Sequence, residues 1–402
     1  MCQLSHDGHV EKTPRRDAVP FPWHLPICDA HCHPTDTMES VSDISSMRAA
    51  AVTIMATRAQ DQDLVARVAG DHSSTDTRSH LTQDSPGSQG TSVVPAFGWH
   101  PWFTHLLYDD SAQEPTYRPS SGSGPDHAAK TAHYTAVLQP EPSSDFVASL
   151  PAPTPISSLI KSTQSRLTSH PHALVGEIGL DKAFRIPEPW DPSGHAERDS
   201  TLTPGGREGR HLSPHRVRIE HQRAVLAAQL RLAARTRRAV SVHGVQAHGV
   251  LREELAATWK GHEREVMTRR KRRLIAQGAE DFSSDSDDEG DKPYPPRICL
   301  HSFSGSVEVL KQYLSPTIPA RIFASFSSAV NLSTEAGRTR TDEVLRALPD
   351  ESVLVESDLH IAGEDMDCAL EDMYRHVCQV KGWDLEDGVK RIAKNYKEFI
   401  FG

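Results

Sequence analysis

Four histidines and several carboxylates stand where short apolar runs of this chain end. The first run closes on Asp29-Ala-His31-Cys-His33. Alternate residues of a strand share a face, so His31 and His33 can offer nitrogen to one ion while Cys32 faces the other way. Glu177, in Val175-Gly-Glu-Ile-Gly-Leu-Asp181, closes another run. A carboxylate there is costly unless it is paired or bound to a cation. His243 ends Ala239-Val-Ser-Val-His, and His301 ends Ile298-Cys-Leu-His. Val353-Leu-Val-Glu356-Ser-Asp358-Leu-His360 closes the last run with acids. Each histidine taken alone reads as a hydrogen-bonded residue at a strand end. Together, four histidines with Glu177 and Asp358 suit two divalent cations held by nitrogen and oxygen. No cysteine is needed, which argues against a closed structural zinc site of the cysteine type. Two ions about 3.5–4 Å apart can activate a water and stabilise a leaving oxygen in hydrolysis. Zinc, manganese and magnesium all remain open as the metal.

These residues need a frame that brings distant strand ends together. Eight apolar, β-branched runs recur: 26–31, 51–57, 93–98, 173–178, 239–243, 297–301, 321–325 and 352–356. Most are continuously apolar, as expected for strands buried on both faces of a parallel sheet. Helical patterns fall between several of them, at 61–69, 156–167, 217–234, 342–348, 369–380 and 385–399. In the clearest, Ile219, Leu226, Leu230 and Ala233 recur at helical spacing. Eight strands alternating with helices predict an α/β fold, a (β/α)8 TIM-type barrel. In such a barrel all the strand ends named above meet at one mouth.

The chain is longer than a barrel requires. Its 402 residues are 37% hydrophobic, below the roughly 45–50% of an ordinary domain. Four polar stretches account for the excess: 70–92, 105–153, 185–214 and 258–296. They hold about 140 residues, leaving roughly 260 for a barrel that typically needs about 250. The expectation is one domain over 1–402 carrying long polar insertions outside the core, disordered by composition. Three of them, following strands three, four and five, are expected to emerge at the mouth and partly roof the site. A net charge of −10 argues against a broad basic surface that attracts nucleic acid from afar. Six cysteines without a Cys-x-x-Cys pair, no secretory leader and no apolar span of membrane length predict a soluble intracellular protein, cytoplasmic or nuclear.

The ordered set of motifs resembles the TatD family of metal-dependent deoxyribonucleases, among the amidohydrolase-like barrels. The matching residues are Asp29–His33, Gly98-Trp-His100-Pro101, Gly176-Glu177-Ile-Gly179-Leu-Asp181, His243, His301-Ser-Phe-Ser-Gly305 and Glu356-Ser-Asp358. The helix bearing Gln222, Gln229 and Leu230 is also similar, and the resemblance covers nearly all of the chain outside the insertions. His-x-Val-x-Ala-His-Gly at 243–249 and Glu-Ser-Asp-Leu-His at 356–360 are most similar to fungal members, some described as partners of an anaphase-promoting-complex subunit. The resemblance implies that His31, His33, Glu177 and Asp358 hold a first metal. It implies that Glu177, His243 and His301 hold a second, with Glu177 bridging. Glu177 and Asp358 are the implied catalytic carboxylates, Asp358 taking the proton from the attacking water. His100 is the implied contact to a substrate phosphate, with capping of its own loop as the alternative. DNA or another phosphodiester is the implied substrate. A barrel that serves as a protein partner, with weak nuclease activity or none, is the alternative.

The chain departs from the family at two places. Val245 and Gln246 follow His243 where typical members carry an arginine that would grip phosphate, and Leu359-His360 replaces a Ser-Pro ending. Two charged runs add a separate expectation. Arg269-Arg-Lys-Arg-Arg273 reads as a nuclear-localisation or phosphate-contacting patch, or as a solvated helix end. Ser283, Ser284 and Ser286 sit in an acidic run like acidophilic-kinase sites, and their phosphorylation would strengthen pairing with the basic run.

Overall fold

The computed structural model describes residues 19–72, 90–119, 126–190, 199–266 and 292–402. Each of the eight apolar runs becomes a strand: β1 Cys28–Cys32, β2 Ala51–Met55, β3 Ser92–Ala96, β4 Val175–Asp181, β5 Val240–Val245, β6 Arg297–Leu300, β7 Arg321–Phe326 and β8 Val353–Val355. β1 to β3 form one parallel sheet and β4 to β8 another, each strand pairing with its sequence neighbours. A parallel bridge between Ala96 and Leu174 joins β3 to β4. The backbone N–H of His33 donates to Leu359 O at 2.8 Å and that of Asp358 to His31 O at 3.0 Å, closing the end of β8 onto β1. The ring is the expected barrel.

Helices cover its outside: α1 Gln62–Asp71, α2 His127–Val137, α3 Ser144–Ser149, α4 Ile156–Ser169, α5 Ile219–Arg235, α6 His248–Trp259, α7 Val307–Tyr313, α8 Glu335–Ala347, α9 Glu364–Lys381 and α10 Leu385–Phe401. After β1 the chain makes two 3-10 segments, Pro34–Asp36 and Met38–Ser46, in place of a helix. Several starts are capped by side chains: Asp126 accepts from Ala129 N, Ser143 from Phe146 N, and Asp384 from Glu386 N and Asp387 N. Gly382, at φ 68°, ends α9 in the left-handed region that favours glycine.

Two apolar layers make the core. Val52, Ile54, Ile178, Val242, Ile298 and Val353 pack outward against helix residues such as Val65, Leu226, Leu230 and Leu370. A second cluster, with Cys28, Ala30, Met55, Ala96, Cys299 and Phe323, is sealed by Tyr396, Phe399 and Ile400 of α10. The last helix therefore plugs the end of the barrel where the strands begin.

Two expectations about the insertions are corrected. Most of 105–153 is folded. Tyr134, Val137, Leu138, Phe146 and Val147 bury themselves with Ile186 and Val217 in a satellite core. Five apolar side chains suffice to fold a segment whose Pro/Ser composition hides them. The 258–296 insertion does not follow β5 directly, because α6 carries the chain back first. Its stem lies by the amino ends of the strands, where Arg264 N donates to Thr317 O and Arg237 Nη1 to Tyr294 O. The two charged runs, 269–273 and 280–291, and residues 73–89 fall outside the described residues. Among the described residues no helix is long and apolar enough to cross a membrane, and no disulfide joins the cysteines.

Candidate metal centre

The carboxyl ends of β1, β4, β5 and β6 and the segment after β8 deliver their polar side chains to one point. Two local irregularities aim them. Between Asp29 and Cys32, β1 gains one residue over β2, and between Val175 and Ile178, β4 gains one over β5. Such bulges reverse the inward–outward alternation locally. Ala30 can thus belong to the barrel interior, while Cys32 packs outward and His31 and His33 both reach inward. The bulge on β4 falls on Glu177 itself. Gly179 is required two residues on, because a β-carbon there would collide with the carbonyl oxygen of His243.

Glu177 is the hub, and its two oxygens are used separately. Oε2 lies 3.4 Å from His31 Nε2 and 3.2 Å from His33 Nε2. Oε1 lies 2.8 Å from His243 Nδ1, 3.4 Å from His301 Nε2 and 3.2 Å from His100 Nε2. Asp358 Oδ1 completes the first side, 3.7 Å from His33 Nε2 and 4.0 Å from His31 Nε2. Asp358 sits at φ 54°, a conformation rare for a side chain with a β-carbon and typical of functional sites that are held in place by their surroundings. Its side chain is 15% exposed, against 3% for Glu177, so it faces the opening.

A carboxylate and several imidazoles buried together leave donors without proper partners. His243 Nδ1 and Glu177 Oε1 are 2.8 Å apart but not aligned for a hydrogen bond, and neither has another. His31 Nε2 and His33 Nε2 face each other at 3.0 Å. Buried nitrogen and oxygen crowded together without matched hydrogen bonds are what a cation satisfies, displacing imidazole protons as it binds. Ligating atoms also cluster as His31–His33–Asp358, as His100–Glu177–His243 and as His31–His301–Glu356. The residues present fit divalent metal ions.

A second layer orients the imidazoles. Ser241 Oγ holds His31 Nδ1 at 2.9 Å, which turns Nε2 toward Glu177. Asp181 Oδ2 meets His243 Nε2 at 3.3 Å, and Glu356 Oε1 meets His301 Nδ1 at 3.1 Å. Carboxylate–histidine pairs of this kind fix the tautomer and raise ligand basicity. Burial lowers the His243 pKa, but the Asp181 bond and the Glu177 carboxylate raise it to about 9. Burial likewise lowers His301, yet the charges of Glu356, Asp358 and Glu177 bring it to about 10. Burial alone would raise Glu177, and the surrounding histidines hold it well below the ordinary carboxylate value.

The structure brings together every residue named from the sequence: His31, His33, Glu177, His243, His301 and Asp358. His100 is also present, though further in than a residue waiting for substrate. Burial lowers its pKa to about 4, and its Nδ1 accepts the Trp102 N–H at 3.2 Å, so it caps its own loop as well. The orienting partners escaped the sequence reading. Asp181 and Glu356 were visible in motifs but without a role. Ser241 carries a signal that could have found it, since it lies two residues before His243 and so shares its face.

One insertion does reach the mouth. Met38 N donates to Thr201 O at 2.7 Å, and Thr203 N to Asp36 O at 3.0 Å. Arg58, after β2, donates to Pro204 O and Thr203 O and pairs with Asp36 and Asp61. His360 stacks on His33 with ring centroids 5.1 Å apart and bonds to Asp36.

Known proteins align along this whole frame. The chain is 36% identical to the Cut9-interacting protein scn1 of Schizosaccharomyces pombe, over 93% of this chain and 98% of that protein. It is 26% identical to the protein named "Uncharacterized deoxyribonuclease YMR262W" of Saccharomyces cerevisiae, over 93% and 99%. Among solved structures, the TatD homologue YJJV of Escherichia coli K12 is 16% identical, over 93% of this chain and 97% of that one, with a TM-score of 0.49. The sequence profile described as "TatD related DNase" matches residues 28–401, so this chain belongs to the TatD-related DNase family.

Proposed function

We propose that this chain is a metal-dependent hydrolase that cleaves phosphodiester bonds, a deoxyribonuclease working with two divalent ions. The observation that carries the reading is the division of Glu177: two histidines on Oε2, three on Oε1. That is the donor arrangement of a carboxylate shared between two cations. His31, His33, Glu177 and Asp358 would hold one, and Glu177, His243 and His301 the other. When bound, the ions supply Lewis acidity at a phosphoryl oxygen and lower the pKa of the attacking water. Asp358, the more exposed carboxylate, accepts that water's proton at a carboxylate oxygen. The Thr201–Pro204 segment narrows the mouth, favouring single strands and chain ends over long duplexes.

The purified protein loaded with zinc, manganese or magnesium should shorten a labelled single-stranded oligodeoxynucleotide. The His31→Ala/His33→Ala variant should lose both metal and cleavage. Stoichiometric metal without turnover on single strands, duplexes or short phosphodiesters would remove the reading. It would leave a barrel that acts as a protein partner, the alternative favoured by the 36% identity to a relative named for interacting with Cut9.

A further inference from the structure

The opposite end of the barrel holds a second polar concentration of reversed sign. A cavity of about 310 Å³ lies where β4, β5 and β6 begin, lined by His172, Arg237, Arg238, Arg297 and Phe401 among others. Arg237 and Arg238 come from the turn between α5 and β5, and Arg297 opens β6. Each arginine spends part of its donor fork on backbone. Arg238 Nη2 reaches Leu167 O at 2.9 Å, Arg297 Nε reaches Phe399 O at 2.8 Å, and Arg237 Nη1 reaches Tyr294 O at 3.3 Å. Carbonyls anchor these side chains but do not neutralise them. Among the described residues none of the three has a carboxylate partner, whereas nearby Arg321 takes Glu398. Among the described residues Arg238 Nε, which is buried, has no hydrogen-bond partner. Burial, and then the repulsion of Arg237, Arg321 and Arg238, push Arg297 down to about 10.

We propose that this cavity binds a phosphate monoester. Three converging guanidiniums call for more than one negative charge. A carboxylate brings one, while a phosphate monoester brings close to two and three acceptor oxygens suited to arginine forks. The cavity is also larger than the anion. At about 30 Å³ per water it has room for about ten waters, so a bare phosphate leaves most of it empty. The His172 and Phe401 rings, 4.8 Å apart and edge-on, offer an apolar wall for the organic group. The site is separate from the metal centre and does not rest on the phosphodiester reading.

The test is calorimetric titration of the full chain with phenyl phosphate, inorganic phosphate and benzoate. Saturable binding is expected for phenyl phosphate, weaker binding for inorganic phosphate and the weakest for benzoate. Arg238→Gln and the exposed Arg237→Gln should each weaken phenyl phosphate by about tenfold or more, as expected for a lost charge-assisted hydrogen bond. The His31→Ala/His33→Ala variant should bind it unchanged. Arg297 also caps α10, so its variants are left out, and Arg237 at the rim can be changed without disturbing the core. Unchanged affinity in both arginine variants would overturn the proposal. So would loss of binding in the histidine variant, or benzoate binding as tightly as phenyl phosphate.

Discussion

The two ends of this barrel use the same strands to opposite electrostatic effect. Where β4, β5 and β6 finish, Glu177 gathers His243 and His301 into a cluster whose donor atoms suit a cation. Where they begin, arginines present N–H groups that lack an anion. The mouth solves its burial problem with second partners: Ser241, Asp181 and Glu356 hold His31, His243 and His301 before anything binds. At the bottom, among the described residues, main-chain carbonyls stand behind the arginines. Pre-oriented ligands fit catalysis, which needs its groups held within fractions of an ångström. An unsupported cluster of like charge fits reversible binding, whose free energy comes from the missing counter-ion.

The sharpest way to break the comparison is at Asp358. An Asp358→Asn variant keeps the shape and loses the proton acceptor, so the hydrolytic rate should fall by about 10²–10⁴-fold. KM on a short oligonucleotide should change little. A rate within a few-fold of wild type would move the general base elsewhere and leave Asp358 as a ligand only.

A smaller loss is expected from the orienting layer. Glu356→Gln and Asp181→Asn each remove a carboxylate behind an imidazole, which typically costs about 10–100-fold in metal affinity or activity. Competition titration against a chelator reads the affinity directly. If both variants bind metal as the wild type does, the pre-organisation ascribed to the mouth is absent and the two ends differ only in sign.

The barrel and the meeting of the six candidate ligands at its mouth were legible in the sequence for a shared reason. Parallel strands buried on both faces are continuously apolar, so a His or Glu ending Val-Ser-Val-His243 or Val-Gly-Glu177 stands out sharply. The irregularities that aim those side chains left no such trace. Nothing in Asp29-Ala-His-Cys announces a bulge at β1, because the extra residue is a matter of pairing with β2. Composition misled at 126–155, where Tyr134 and Phe146 organise a satellite core amid proline and serine. At 258–296 the run of charge is legible in the sequence, but α6, which reverses the chain before it, decides at which end of the barrel it emerges. The arginine cavity was invisible for a similar reason. Arg237, Arg238 and Arg297 lie about sixty residues apart in two segments, and neither segment contains a recognisable motif.

Titration sharpens the contrast further. In the metal-free protein His243 and His301 keep protons to about pH 9 and 10, well above the ordinary 6.5. A raised folded-state pKa contributes stability that is complete below pH 6.5 and is lost as pH climbs through 9 and 10. The melting temperature of the metal-free protein should therefore fall across that window. Cations must displace the same protons, so metal affinity should rise by about tenfold per pH unit for each proton released, up to about pH 9. Proton release measured in two buffers of different ionisation enthalpy checks the count. Metal affinity that is flat between pH 6 and 8 would contradict the protonated state of these two imidazoles.

The smallest expected effect bears on whether the two ends speak to each other. Ala239, just before β5, borders the arginine cavity, and His243 on β5 belongs to the candidate metal centre, four residues along the chain. At about 3.3 Å per residue they are about 13 Å apart, beyond the roughly 7–10 Å within which substitutions usually couple. Between them lies β5, hydrogen-bonded on both sides to β4 and β6. A rigid element without two states has nothing for a ligand at one end to bias. Arg238→Gln should then leave the hydrolytic rate within about twofold of wild type. Its combination with Glu356→Gln should match the sum of the single effects to about 0.5 kcal/mol. Non-additivity well beyond that, or a rate that responds to phenyl phosphate in a variant with intact metal ligands, would mean that β5 carries a signal and that the two ends work as one device.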